Sequence, residues 1–204
     1  MSELNVIKKI QSGNREALII IGEEDVSFLQ ERKETIISYS GFDWDTYLSP
    51  WPAERVFKKG NDFSGKADDM LEYILHDLED KDSDYENITL AGYSLAGLFA
   101  LYCGTKTDRF DNIVSASGSM WFEGWLDYLK EHPVHAKKVY LSLGDQEKKT
   151  KNPRMALVEE NTKEVRNLIS SNTECIFEMN PGNHFFESDK RLLKGIVAVK
   201  DKNV

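Results

Sequence analysis

Ser94 lies where an alcohol side chain could act as a nucleophile. The ten residues from Ile88 to Gly97 have the sequence ITLAGYSLAG, an apolar strand that enters a tight turn at the serine and continues as a helix. Gly92 and Ala96, two residues before and after it, leave room for a corner that holds the hydroxyl clear of the backbone. An alcohol needs an adjacent general base to attack an acyl group at neutral pH. The pattern predicts such a serine, although a helix N-cap preceded by a turn glycine would show it too.

Two later segments carry the partner groups that a nucleophilic serine needs. One apolar run ends in Gly-Asp-Gln-Glu at 144–147, and a later one ends in Asn-Pro-Gly-Asn-His at 180–184. The order along the chain is therefore serine, acid, histidine, each at a strand end. We expect His184 to be the general base that takes the proton of Ser94 and returns it to the leaving group.

Two residues qualify as the acid that orients the imidazole. Asp145 follows Gly144 directly, where an aspartate can cap a turn by accepting from backbone amides. Glu147 lies farther along the loop and has the longer side chain. We prefer Glu147, and Asp145 is the alternative.

The oxygen of an attacked acyl group needs backbone donors around it. The N–H of Leu95, directly after the serine, is the first expected donor. The second should come from the turn after the first strong strand, where Gly22 and Glu23 are the candidates. Gly22 could equally belong to an ordinary strand-to-helix turn.

Aromatic residues follow the strands at the edge where ligands usually bind. Trp44 and Trp51 come after the second strand, Trp121 comes after the fourth, Tyr93 precedes the serine and Phe185 follows the histidine. They are candidates for lining a substrate pocket. The alternative is that they pack irregular loops over the core, which is the commoner use of tryptophan.

Apolar patterns along the chain indicate alternating strands and helices. A strand at 17–21 precedes a short helix at about 25–33, and 153–170 has the spacing of one long amphipathic helix. Continuous β-branched runs are typical of strands covered on both faces. We therefore predict an α/β fold in one domain over 1–204, with a mostly parallel central sheet, helices on both faces and one extra edge strand near the N-terminus. Further helices are expected at 67–78, 95–103, 121–130 and 188–197.

Composition argues against several classes of protein. The formal net charge is −9 and there is no basic cluster, so we expect no nucleic-acid partner. No run could span a membrane and the N-terminus lacks the pattern of a secretion signal, which predicts a cytoplasmic protein. Cys103 and Cys175 lack the short spacing of metal or redox pairs and are expected to be reduced core residues.

With these three motifs in this order, the chain resembles an α/β-hydrolase. More narrowly, it is similar to the putative esterase branch, which includes esterase D (the S-formylglutathione hydrolases) and the ferric-siderophore esterases. The resemblance implies an α/β-hydrolase fold with a small or absent cap, Ser94 as nucleophile, His184 as base and Glu147 as acid. Ala96 stands where many relatives have glycine, and the His-Gly-Gly-Gly oxyanion segment is missing.

The chain is therefore expected to be a serine hydrolase of small-molecule carboxylic esters or thioesters, working through an acyl-enzyme without metal or organic cofactor. An acyltransferase would use the same residues, with an alcohol or amine in place of water. A non-catalytic ligand-binding or interaction domain on the same fold is the alternative from a different class.

Overall fold

The computed structural model describes residues 5–56, 60–79 and 85–200. Its main sheet has seven strands in the order β1-β3-β2-β6-β7-β8-β9, and β4 and β5 pair separately. The strands are β1 (Ile7–Gln11), β2 (Glu16–Ile21), β3 (Thr35–Ser40), β4 (Pro52–Ala53), β5 (Phe63–Ser64), β6 (Asn87–Tyr93), β7 (Asn112–Ala116), β8 (Lys138–Gly144) and β9 (Glu174–Asn180).

The expectation of a mostly parallel sheet is confirmed. Strand β1 runs antiparallel to β3, and every other pairing of the main sheet is parallel. The extra edge strand expected near the N-terminus is β1. Because the parallel strands share one direction, the loops after β6, β8 and β9 leave from the same edge of the sheet.

Helices lie on both faces, as predicted. They are α1 (Trp44–Tyr47), α2 (Ala67–Glu79), α3 (Leu95–Lys106), α4 (Trp125–Glu131), α5 (Pro153–Ala156), α6 (Val158–Ser170) and α7 (Ser188–Lys200). None of the helices in the described ranges reaches the length and apolarity that crossing a membrane requires.

Strand β2 shows how one stretch of sequence packs into two cores. All five side chains from Ala17 to Ile21 are completely buried. The first, third and fifth belong to a large core shared with α2, α3, α4 and α6, and the second and fourth belong to a smaller core under α7. This two-sided burial is the reason why the strand is a continuous apolar run.

Two predicted helices differ from the structure. The helix expected at 25–33 is a single 3-10 turn at Ser27–Leu29, in which only Leu29 is buried. One buried side chain provides too little packing to hold so short a helix. The helix expected over 153–170 is two helices, α5 and α6, which meet at Leu157.

Tertiary hydrogen bonds hold α5 against neighbouring loops. Asn152 caps it by accepting from the N–H groups of Arg154 and Met155, and its side-chain amide donates to the carbonyl of Val56. Arg154 pairs with the carboxylate of Glu123. These bonds attach α5 to the loops that contain Val56 and Glu123, and α6 begins as a separate helix after Leu157.

Neither cysteine forms a disulfide. Cys103 is fully buried in α3, whereas Cys175 on β9 is partly exposed. Burial raises the pKa of the Cys175 thiol to about 11. Within the described ranges, no group of three or more His, Cys, Asp or Glu side chains is arranged to hold a metal ion.

Candidate active site

Ser94 occupies a strained corner between β6 and α3. Its φ of 58° and ψ of −122° are rarely adopted by a residue with a side chain. Its N–H donates to the carbonyl of Ala116 on β7, and its own carbonyl accepts from the N–H of Gly97. A Cβ added to Gly92 would lie 2.3 Å from the carbonyl oxygen of Ala96, so only glycine permits this corner. The predicted tight turn is present.

His184 lies in the loop after β9, directly opposite the serine. Its Nε2 is 2.9 Å from Oγ of Ser94, and its Nδ1 is 2.7 Å from Oε2 of Glu147. An ionised carboxylate can only accept, so Nδ1 carries a hydrogen and Nε2 is free to accept the serine proton. The three side chains thus form one continuous hydrogen-bonded chain.

Glu147 is held firmly in this arrangement. Only 4% of its side chain is exposed, and its second oxygen, Oε1, accepts from the N–H of Gly144 at 2.6 Å and from Arg191 at 3.1 Å. A Cβ at Gly144 would lie 2.4 Å from the carbonyl oxygen of Gly182 and 2.9 Å from the Arg191 guanidinium. Glycine at 144 therefore lets the acid loop, the histidine loop and the arginine approach one another.

Asp145, the alternative acid, does not contact the histidine. Its Oδ1 accepts from the Gly182 N–H at 2.9 Å and from the side-chain amide of Gln146 at 3.0 Å. Both bonds lower the pKa of the Asp145 carboxyl, and the bond with Gln146 has the larger effect. Its observed role is to cap the turn that brings the acid loop against the histidine loop.

The structure separates the candidate oxyanion donors. Leu95 begins α3, and N–H groups in a first helical turn have no acceptor inside the helix. The N–H of Gly22 donates to the carbonyl of Tyr39 at 2.8 Å and is therefore not available to a substrate. Glu23 remains the candidate from that loop; its carbonyl accepts from the hydroxyl of Ser38, which helps to fix the turn.

A small apolar cavity of about 110 Å³ opens beside the serine. Trp121 and Phe185, two of the predicted aromatic residues, line it together with Met155 and Val158. The sequence predicted one continuous helix here and did not single out Met155 or Val158, which lie on either side of the break at Leu157.

The other predicted aromatic residues lie elsewhere. Trp51 packs on Phe122 and Tyr128, and its ring N–H donates to the carbonyl of Glu123. Its contacts therefore pack loops over the core. Trp44 packs over Gly22, where an added Cβ would lie 2.1 Å from its ring.

Tyr93 has turned away from the cavity towards the histidine loop. Its hydroxyl donates to the carbonyl of His184 at 2.7 Å and accepts from Arg191 at 3.2 Å. The sequence did not identify Arg191 either. Its only signal was a charged residue on the side of the closing helix that Leu192 and Ile196 predict to be buried.

Comparison with known proteins identifies the family of the chain. The sequence model of the esterase family, described as "Putative esterase", matches residues 61–190, well over half of the chain. A comparison with curated proteins found no match.

Several solved esterases share the fold. Siderophore hydrolase EstA from Aspergillus nidulans is 16% identical with a TM-score of 0.68, over 97% of this chain and 95% of EstA. EstB from the same organism is 17% identical with a TM-score of 0.66, over 91% of this chain and 81% of EstB.

The enterobactin esterase FES from Shigella flexneri is 15% identical with a TM-score of 0.62, and the matched region covers 97% of this chain but 59% of FES. At such low identity these likenesses show the fold, and the family match carries the assignment. The chain belongs to the putative esterase family of α/β-hydrolases.

Proposed function

We propose that the chain is a serine esterase that works through an acyl-enzyme on Ser94. His184 Nε2 takes the hydroxyl proton as Oγ bonds to the acyl carbon of the substrate. The tetrahedral intermediate then expels the alcohol, which receives that proton from the imidazolium. A water molecule repeats the sequence on the acyl-enzyme, the carboxylic acid leaves and Ser94 is restored.

The remaining groups stabilise the charges that form during the reaction. The carboxylate of Glu147 keeps the imidazole in the tautomer that can accept, and it stabilises the imidazolium as it forms. The N–H groups of Leu95 and Glu23 are the proposed donors to the oxyanion. The observation that carries the proposal is the unbroken Ser94–His184–Glu147 chain, with heavy-atom distances of 2.9 and 2.7 Å.

The cavity favours a small apolar acyl group. An engineered protein cavity of about 150 Å³ holds one benzene molecule, so the 110 Å³ beside Ser94 suits a short aliphatic chain better than a long one. EstA and EstB are named siderophore hydrolases, so ester-linked siderophores belong in the substrate series as well.

The test combines covalent labelling with hydrolysis. A fluorophosphonate probe should label the parent protein once, and Ser94→Ala should abolish labelling and lower kcat by up to roughly a millionfold. Ser171→Ala, at an exposed site after α6, should leave both unchanged and controls for loss of a serine hydroxyl. A series of aryl esters with two to ten acyl carbons should show an optimum at short chains.

Other outcomes identify the alternatives. An unlabelled parent protein that hydrolyses no ester in the series would support a non-catalytic domain. Labelling with transfer to added alcohols or amines in preference to water would identify an acyltransferase.

A further inference from the structure

Arg191 is a buried arginine at the base of the candidate active site. It lies in the first turn of α7, and only 3% of its side chain is exposed. The buried side of this helix is otherwise apolar, with Leu192 and Ile196 in the core under the sheet. A buried charge is costly unless it is paired and fully hydrogen-bonded, so the contacts of this one indicate its role.

The guanidinium contacts five acceptors around the site. Nη1 lies 3.1 Å from Oε1 of Glu147, 3.1 Å from Oγ of Ser117 and 3.2 Å from Oη of Tyr93. Nη2 donates to the carbonyl oxygens of Pro181 at 2.7 Å and Asn183 at 3.0 Å. These acceptors come from the ends of β6 and β7 and from the loops after β8 and β9, so one side chain joins the segments that carry Ser94, Glu147 and His184.

We propose that Arg191 is a positioning residue for hydrolysis: it holds the Glu147 carboxylate and the histidine loop in the one arrangement in which acid and base meet. One oxygen of Glu147 is bonded by Arg191 and Gly144, and the other is thereby aimed at His184. The carbonyls that Nη2 binds belong to residues one and three positions before the histidine. Without the guanidinium, both partners of the acid–base bond could turn.

The shape of the guanidinium matters as well as its charge. Its two terminal nitrogens bind different partners at once, Nη1 the acid and Nη2 the histidine loop. A lysine ammonium is a single point on a flexible stem and cannot hold both sets in one plane. Arg191→Lys thus keeps the charge and loses most of the positioning.

The charge gives a readout that a merely structural arginine would lack. Arg191 places a positive charge beside the Glu147–His184 pair. Removing that charge should raise the pH at which the pair releases the proton whose loss frees Nε2 of His184 to accept. The acid limb of the kcat/KM profile follows that proton, because Ser94 can be deprotonated only by neutral imidazole.

Other titratable groups face the same guanidinium and must be accounted for. Tyr93 reaches it from β6 and Asp145 from the loop after β8. Burial is the main cause that raises the pKa of Tyr93 above its usual value, whereas hydrogen bonds with Gln146 and Gly182 lower that of Asp145. Both therefore keep one charge state between pH 5 and 8, so neither contributes a titration of its own to the comparison.

The experiment compares Arg191→Met and Arg191→Lys with a matched control, Arg32→Met. Arg32 also pairs with a buried carboxylate, that of Glu34, but it precedes β3 at the opposite end of the sheet. For each protein we would measure Tm, kcat and KM against pH, and the NMR titration midpoint of the His184 ring, assigned by comparison with His184→Asn.

The two substitutions should separate charge from positioning. In Arg191→Met, kcat should fall about 30-fold or more with KM little changed, since the loss acts on the transition state. Its acid limb and ring midpoint should both move up by about half a pH unit or more. Arg191→Lys should keep the parent midpoint and recover part of kcat. Arg32→Met should lower Tm and leave kcat, KM and the ring midpoint at their parent values.

A folded Arg191→Met protein with the parent midpoint and near-parent kcat would overturn the proposal. If Arg191→Met does not fold, Arg191→Lys decides, and parent kcat in that variant would overturn it. The proposal rests on the serine esterase mechanism, but the ring midpoint needs no substrate. A parent protein without esterase activity would therefore contradict the proposed function, while the NMR comparison would still decide whether Arg191 holds the acid–base pair.

Discussion

Tyr93 and His184 are joined by a hydrogen bond that crosses the site behind the nucleophile. The tyrosine hydroxyl donates to the histidine carbonyl oxygen at 2.7 Å, and the two rings lie 5.4 Å apart. Tyr93 directly precedes Ser94, so the backbone corner that carries the nucleophile is tied to the backbone that carries the base. The raised pKa of the tyrosine, caused chiefly by burial, keeps this donor neutral over the working pH range.

Tyr93→Phe should weaken that link without opening a cavity. Since a hydrogen bond of this kind contributes about 0.5–1.5 kcal/mol, we expect kcat to fall about tenfold while the protein stays folded. The matched control is Tyr102→Phe, which removes another buried hydroxyl, bonded to Asp68 away from the site. Steady-state kinetics and melting curves would be compared. Equal losses of kcat in both variants would show that the Tyr93 bond has no specific effect on the histidine.

The acid can be identified by comparing Glu147→Gln with Asp145→Asn. Glu147→Gln removes the charge that orients the imidazole, and by analogy with triad enzymes kcat should fall by about 10³–10⁴-fold. Asp145→Asn removes a charge only from a turn cap, so it should lower kcat by less than about tenfold. Hydrolysis of one aryl ester would be measured at fixed pH. If the aspartate variant were the more damaged one, the assignment of the acid would be reversed.

Val158 should set the length of the acyl chain. Val158→Ala enlarges the cavity by two methyl groups, so the optimum of the aryl ester series should move to acyl chains longer by one or two carbons. Val165→Ala, two turns later on the same helix and fully buried in the core, is the control. It should lower Tm but leave the optimum in place. If the two variants had the same chain-length profile, Val158 would not contact the acyl group.

The order of elements could be predicted from the sequence, because the apolar pattern of each segment depends on which of its own faces are buried. Strand β2 is a continuous apolar run since both of its faces are covered, and the turn at Ser94 needs Gly92 whatever the rest of the fold does. The same local logic locates the loops that carry Glu147 and His184, because a turn glycine or proline ends each strand.

The parts that the sequence could not predict depend on contacts between distant segments. Asn152 and Arg154 bond α5 to other loops, which the sequence does not predict, so Met155 and Val158 could not be assigned to the cavity. The five bonds of Arg191 likewise join segments up to 98 residues apart. Gly22 was a candidate donor because of its position after β2, but its N–H continues the pairing with β3.

Glu23 provides a test of electrostatics in the turn beside the nucleophile. Burial, and then the nearby carboxylate of Asp189, raise the pKa of Glu23 above its usual value of about 4.5. Between the unfolded and folded values the folded protein binds more protons, so the free energy of unfolding falls as pH rises through this window. Above the window the ionised carboxylate destabilises the fold by a constant amount.

Glu23→Gln should therefore raise Tm at pH 7, and the gain should shrink to nothing below about pH 4.5, where the parent carboxyl is already protonated. Glu24→Gln removes the same charge from an exposed neighbour and controls for net charge. Melting curves of the three proteins between pH 4 and 8 would measure the difference. A gain in Glu23→Gln that persisted at pH 4, or an equal gain in Glu24→Gln, would mean that the partly buried Glu23 carboxylate is not its source.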